Sequence, residues 1–367
     1  MSINLLEHIQ DVEDFRVPGM VKYPLNEILL TAFTAVLCGS EDFEEIELFG
    51  NEQIEWLCEI LAFESGIPQA QTFRQIFRSL DPISLESAFS SWFSHLQEYI
   101  SGIAIDGKTL CGSKNKTDGS DALHVVSAYA HEAGVVLGQC KVDTKSNEIT
   151  AIPELLDMLA FSGAIVTLDA MGAQKEIAAK IVNGNGDYVL SLKGNQGSLH
   201  EDVQTFFDDS EMSSECLKDV DPTFGHGRIE ERTCYVADAK SWLAERHPEW
   251  SGLNTLAQIT ATRTDKKTGQ VSIETRFYIS SLSPDPRVIL DASRSHWSIE
   301  NNLHWQLDVT FREDACRTRK DHAPMNFAVI RRAAFNALKR DRSSLSLKRK
   351  RLKAAMNPDF RRHLLAC

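Results

Sequence analysis

Apolar positions in the first section of the chain recur at helical spacing. Leu25, Ile28, Leu29, Ala32, Phe33, Val36 and Leu37 mark one helix, and a second such pattern runs from Glu45 to Leu61. Gly39-Ser40 and Gly66-Ile67-Pro68 break them. After Pro68, Thr72 to Leu80 is a short amphipathic piece that carries Arg74 and Arg78 beside Phe73, Ile76 and Phe77. A helix, a Gly-Pro turn and a short basic helix outline a DNA-reading pair, although such a piece is more often ordinary helical packing.

The period changes at Ile100. Strand-like runs follow at Ile103 to Asp106, His124 to Ala130, Val135 to Val142, Ala164 to Asp169 and Asp187 to Lys193. Helical patterns interleave only later, at Ile149 to Leu159 and Ala173 to Val182. Consecutive strands followed by helix–strand alternation predict an antiparallel meander continued by parallel crossovers, in a mixed α/β sheet. From about His200 to Thr275 the pattern loosens into a β-rich insertion with a strand at Leu256 to Arg263. A strand resumes at Arg276 to Leu282, and a long helix starts near Arg287 and runs past Trp305. The division is a helical N-terminal domain over 1–98, an α/β core over 99–335 with its insertion at about 200–275, and a tail over 336–367.

With 43% hydrophobic and 25% charged positions in 367 residues, the chain is globular, and general disorder is excluded. The longest apolar run, Ile28 to Cys38, falls short of the ~20 residues that cross a bilayer, and no basic and apolar leader opens the chain. A cytoplasmic, nucleoid-associated protein is expected. Eight cysteines without a C-x-x-C pair read as reduced thiols. The net charge of −13 argues against a nucleic-acid partner until its distribution is considered. Residues 336–367 carry ten Lys/Arg against Asp341 and Asp359, a local +8 that leaves −21 for the rest. A basic tail that includes Arg349 and Arg351 is a candidate contact to nucleic acid, or a solvated end.

The candidate chemistry lies in carboxylates. Asp106 ends an apolar run and precedes Gly107-Lys108-Thr109; Asp169 ends another and precedes Ala-Met-Gly172. Ligands bind at the carboxyl ends of strands in open α/β sheets. Two acids there repel unless something positive lies between them, and a divalent cation with oxygen preference is the economical candidate. On the long helix His296, Glu300, His304 and Asp308 recur every four positions along one polar face. That face is a solvated one, a source of a third acid, or a zinc site, although neither H-E-x-x-H nor a cysteine cluster supports zinc.

The strings IDGKTL, KSNEITAIPELLDML, TLDAMG, LKGNQG, HGR, HWSIENNLHWQLDVTFREDACR and NFAVIRR, with KYPLNEILLTAFTAVLCG and GIPQAQTF before them, resemble the H-repeat-associated, ISAs-type branch of the DDE insertion-sequence transposases. The resemblance covers nearly the whole chain. It implies a ribonuclease H-like core in which Asp106, Asp169 and Glu300 hold two Mg²⁺ ions, with Mn²⁺ as a substitute. It also implies DNA as partner, both the terminal inverted repeats of an element and its target, and a homodimer or higher oligomer on that DNA. Two such ions promote in-line phosphodiester displacement, first by water to free a 3′-OH, then by that 3′-OH on target DNA. A ribonuclease H-fold nuclease without strand transfer and a non-mobile DNA-binding pseudo-enzyme are the alternatives.

The chain departs from related transposases around the third acid. Where they place Arg four residues before it and Lys seven after, His296 and Leu307 stand. Arg294, His296 and His304 are the expected substitutes at the phosphate. Lys193, Asn195 and Gln196, after the last core strand, and His226 and Arg228 in the insertion, offer donors to phosphates or base edges. Trp297 and Trp305 are expected to pack at the core or its rim.

Overall fold

The computed structural model describes residues 4–93, 100–114, 119–142, 147–225, 228–240 and 242–366. Its central feature is a nine-stranded sheet in the order β3-β2-β1-β4-β5-β9-β8-β7-β6. β1 (Gly102–Leu110), β2 (Leu123–Ala130) and β3 (Val135–Val142) form the antiparallel meander. β4 (Ile165–Leu168) and β5 (Asp187–Leu192) add in parallel to β1, each behind a crossover helix, α7 (Glu148–Asp157) and α8 (Lys175–Asn183). This order and sense match the ribonuclease H-like core expected from the sequence.

The insertion does not leave the sheet. β6 (Leu217–Gly225), β7 (Arg228–Asp238) and β8 (Thr255–Asp265) continue it antiparallel, and β9 (Val271–Ser280) returns to pair with β5. β6 and β7 escape the sequence reading because acids, arginines, Pro222 and a glycine replace the apolar alternation that marks a strand with one buried face.

Side chains of β1 alternate between two cores. Ile103 and Ile105 join the apolar cluster under α7 and α8, whereas Ala104 and Leu110 join the helical cluster on the opposite face. That second cluster is built by α1 (Leu5–Ile9), α2 (Leu25–Cys38), α3 (Phe43–Glu52), α4 (Ile54–Cys58), α5 (Ala70–Ser79) and α6 (Pro82–Trp92). The C-terminal helices α13 (Ala323–Arg340), α14 (Leu347–Met356) and α15 (Pro358–Leu365) belong to it as well. Between the two runs of helices come α9 (Ser198–Asp208), α10 (Leu243–Arg246), α11 (Pro286–His296) and α12 (Trp305–Val309). No described helix is long and apolar enough to cross a membrane. The seven described cysteines are free.

The basic tail is therefore not a free arm, which corrects the reading of its charge. The Arg351 guanidinium donates to the carbonyls of Val36 and Thr310 and lies over the Phe311 ring. Arg361 stacks on Trp56, its guanidinium carbon 4.2 Å from the ring centroid. Long cationic side chains bury their stems, and their heads satisfy carbonyls at helix ends that water would otherwise serve. Arg351 is thus withdrawn from any phosphate. Arg349 is exposed on α14 with Lys348 and Lys353.

Candidate active site

β4 stops at Leu168, opposite Ile105, while β1 runs on to Leu110 with β2 as its only paired strand among the described residues. Asp106 thus lies inside a strand and not at its end, as the sequence pattern suggested. Its exposure to the site comes from the early stop of β4. The residue after that stop is Asp169, whose Oδ1 accepts from the amides of Met171 (2.9 Å) and Gly172 (3.0 Å). Those bonds hold the turn that leads into α8.

The third acid arrives on a helix that is not uniformly α. α11 ends at His296, and Glu300–His304 form a π-helical turn closed by the Trp305 amide on the Glu300 carbonyl before α12 begins. Such i→i+5 turns concentrate at functional positions. Ile299, Leu303 and Leu307 bury the helix against the second core. His304, also buried, places Nδ1 3.6 Å from Asp106 Oδ2 and 3.6 Å from Glu300 Oε2. One ligand atom from each of Asp106, Glu300 and His304 lies within 4.8 Å of the others.

Electrostatics mark the same place. Burial, followed by the charges of Glu300, Glu148 and Asp169, pushes the Asp106 carboxyl up to about 8. Carboxylates crowded in this way hold a proton where a cation would neutralise them. His304 goes the other way: burial first, then Arg332 and Lys108, push it down to about 3.

Asp308 is elsewhere. Its Oδ1 is 2.8 Å from Lys108 Nζ, which also lies 3.1 Å from Asp314 and 3.8 Å from Glu313. Glu313 in turn pairs with buried Arg332 at 2.8 Å. This ionic knot ties β1, two residues beyond Asp106, to the segment following the helix that bears Glu300.

Several of the expected DNA contacts have partners within the chain. His296 Nδ1 is 3.1 Å from Thr167 Oγ1 on β4, a contact that docks α11 beside Asp169, and burial pushes the imidazole down to about 4. The side-chain amides of Asn195 and Gln196 both donate to the Ala170 carbonyl, at 2.8 and 2.6 Å, so these donors brace the Asp169 turn. His304 faces the acids, as described. Arg294 is ion-paired to Asp221 on β6. Lys193 is exposed and lines a cavity of about 290 Å³ with Asp169, His296 and Trp297. Arg228 lines a second cavity, between the β7–β9 face and α11. His226 lies outside the described residues. Trp297 and Trp305 are 44% and 53% exposed, so neither enters the core, and Arg276 covers one face of Trp297.

Arg74 and Arg78 pair with Glu44 and Asp321. Both line a groove of about 670 Å³ between α5 and residues 312–320, together with Arg312, Arg317, Arg319 and Lys320.

Sequence reasoning missed Lys108, His124 and Glu148. His124 on β2 bridges Thr109 Oγ1 (2.8 Å) and Glu148 Oε1 (2.7 Å) behind Gly107. A Cβ at Gly107 would lie 2.2 Å from that carboxylate oxygen, so a larger residue there would push the Glu148 and His124 side chains aside. The available signal was Asn147-Glu148, an N-cap and first helical residue.

The chain is 40% identical to YncI of Escherichia coli O157:H7, named as a candidate transposase, over 100% of this chain and 95% of that one. It is 39% identical to YhhI of Escherichia coli K12, named as a candidate H repeat-associated transposase, over 99% and 97%. Among solved structures it is similar to the piggyBac transposase synaptic complex with hairpin DNA, with a TM-score of 0.47 and 13% identity over 100% of this chain and 81% of that one. Residues 6–93 match the family described as DDE_Tnp_1-associated and residues 99–337 the one described as Transposase DDE domain, so the chain belongs to the DDE transposases.

Proposed function

We propose that the protein is a divalent-metal-dependent DNA transposase that cleaves phosphodiesters at the ends of an insertion sequence and joins the freed 3′-OH to target DNA. The observation that carries this reading is the convergence of Asp106 and Glu300, from distant elements, on one ligand-spaced group beside Asp169. The raised affinity of Asp106 for a proton is the mark of acids assembled for a cation, so the residues fit Mg²⁺ or Mn²⁺. Bound there, two ions supply charge stabilisation for both the attacking and the leaving oxygen. Asp106, Asp169 and Glu300 would hold them. His296 and the amides of Asn195 and Gln196 keep the Asp169 turn in place, and the Lys108 knot keeps the Glu300 helix against β1. The protein acts as an oligomer on paired ends in the cytoplasm, at the nucleoid.

The test is a strand-cleavage and joining assay on duplexes that span the DNA flanking the gene. Nicks leaving 3′-OH ends and joined products are expected with Mg²⁺ or Mn²⁺, and neither with EDTA or with Ca²⁺ alone, whose longer bonds and looser geometry misplace the reacting oxygens. Cleavage that persists in EDTA would sink the reading. Nicks without joined products would reduce it to the nuclease.

DNA is expected to follow the groove between α5 and residues 312–320. Arg317 and Lys320 are exposed there. Replacing both by alanine should flatten the plot of log affinity against log salt by about 0.9 per lost phosphate contact. An unchanged slope would place the DNA elsewhere.

A further inference from the structure

We propose that His304 is itself a metal ligand, so that one ion position combines an imidazole nitrogen with the carboxylates of Asp106 and Glu300 and prefers Mn²⁺ to Mg²⁺. The proposal rests on the metal-dependent reading above and adds to it the identity of a ligand and of the ion it favours.

Geometry separates this role from the others open to a histidine. His304 is 5% exposed, too enclosed to meet a DNA backbone. Its Nδ1 stands 3.6 Å from an oxygen of Asp106 and 3.6 Å from one of Glu300, beyond the reach of a hydrogen bond to either. Its Nε2 is buried with no hydrogen-bond partner. A histidine placed to orient a carboxylate would touch it at about 2.7–3.2 Å. Donors that share one ion at about 2.1 Å lie roughly 3 to 4.2 Å apart, and both separations from Nδ1 fall in that range.

The π-helical turn explains how the two helix ligands coincide. Its first and last residues are Glu300 and His304, and the Trp305-to-Glu300 bond closes around them, so both side chains are presented to Asp106 by one local distortion. Asp169 is outside this ligand-spaced group, and its Oδ1 is engaged by backbone amides. The two ion positions are therefore unlike: one has a nitrogen donor, the other only oxygens. Mg²⁺ favours oxygen ligands and keeps much of its water, whereas first-row transition ions accept imidazole readily. A single imidazole thus biases its position toward Mn²⁺ without excluding Mg²⁺.

The probe is Mn²⁺ alone on the full-length, DNA-free chain. Pulsed electron paramagnetic resonance should show nitrogen coupling to bound Mn²⁺ that changes its pattern when the protein carries ¹⁵N-histidine. Calorimetric titration should give a Mn²⁺ affinity at least about tenfold above that for Mg²⁺, and His304→Gln should lower the Mn²⁺ affinity by roughly 10- to 100-fold while changing that for Mg²⁺ much less. Mn²⁺ binding that Asp106→Asn abolishes, but that lacks histidine coupling in the wild type, would overturn the role of His304 and leave the metal site standing. Absence of any Mn²⁺ or Mg²⁺ binding sensitive to Asp106→Asn or Glu300→Gln would overturn both. The wild-type spectrum decides even if the His304 variant does not fold.

Discussion

Asp106→Asn, Asp169→Asn and Glu300→Gln are each expected to lower strand cleavage in saturating Mg²⁺ by roughly 10³-fold or more. Each swap keeps shape and removes charge that would hold an ion. Stabilisation of a phosphoryl transition state by such an ion is on the order of several kcal/mol, and about 1.4 kcal/mol is a factor of ten in rate. DNA binding should survive in all three, because the groove beside α5 is built from other residues. Asp308→Asn should retain measurable cleavage, since its carboxylate serves Lys108, which keeps Asp314 and Glu313 as partners. Single-turnover assays of the four variants on one duplex decide the matter. A dead Asp308→Asn beside an active Glu300→Gln would reverse the assignment.

Asp106→Asn should also act on stability, in a direction set by its proton. The carboxyl titrates at about 8 in the fold against an ordinary 3.8, so the metal-free folded state holds a proton that the unfolded chain releases. Stability therefore falls as pH rises through that window. Asparagine removes the penalty, so the metal-free variant should melt above wild type at pH 8.5, by a difference on the order of a few kcal/mol that vanishes toward pH 4. Equal melting at both pH values would mean that neither burial nor the neighbouring acids raise the Asp106 carboxyl.

Removing residues 346–367 is expected to unfold the helical body and not merely to delete a DNA-binding arm. Leu347, Phe360, Leu364 and Leu365 are buried in the same cluster as Phe33, Phe77 and Phe327. Each large apolar side chain withdrawn from water contributes about 1.5–3 kcal/mol, and together four of them rival the ~5–15 kcal/mol by which domains are stable. The loss extends to Arg361, buried over Trp56, and to Lys350, which donates to the Leu338 carbonyl at the end of α13 at 3.1 Å. Thermal unfolding and limited proteolysis of the truncated chain should show loss of a cooperative transition. By contrast, Lys348→Gln with Arg349→Gln changes only exposed positions and should melt as wild type. A truncated chain that melts normally and loses only salt dependence would restore the free-arm reading.

What was legible in the sequence was local. Short β-rich runs marked the five core strands, and the acids at Asp106 and Asp169 stood out because each ends a largely apolar run. The long helix and its third acid were legible for the same reason, as side-chain spacing along one element. What only tertiary structure decided depends on groups far apart in the chain. Four residues at helical spacing, His296, Glu300, His304 and Asp308, read as one polar face, yet they meet three environments: His296 meets Thr167 on β4, Glu300 and His304 share the group around Asp106, and Asp308 meets Lys108. A π-helical turn and two packed strands separate those environments, and no spacing along one helix encodes them. The tail misled for a related reason. Charge in a sequence shows which groups want solvation but not what solvates them, and here helix-end carbonyls and aromatic rings from residues some 300 positions away take the place of water. Burial belongs to the fold, and the fold drew Lys350, Arg351 and Arg361 of that basic run into the core.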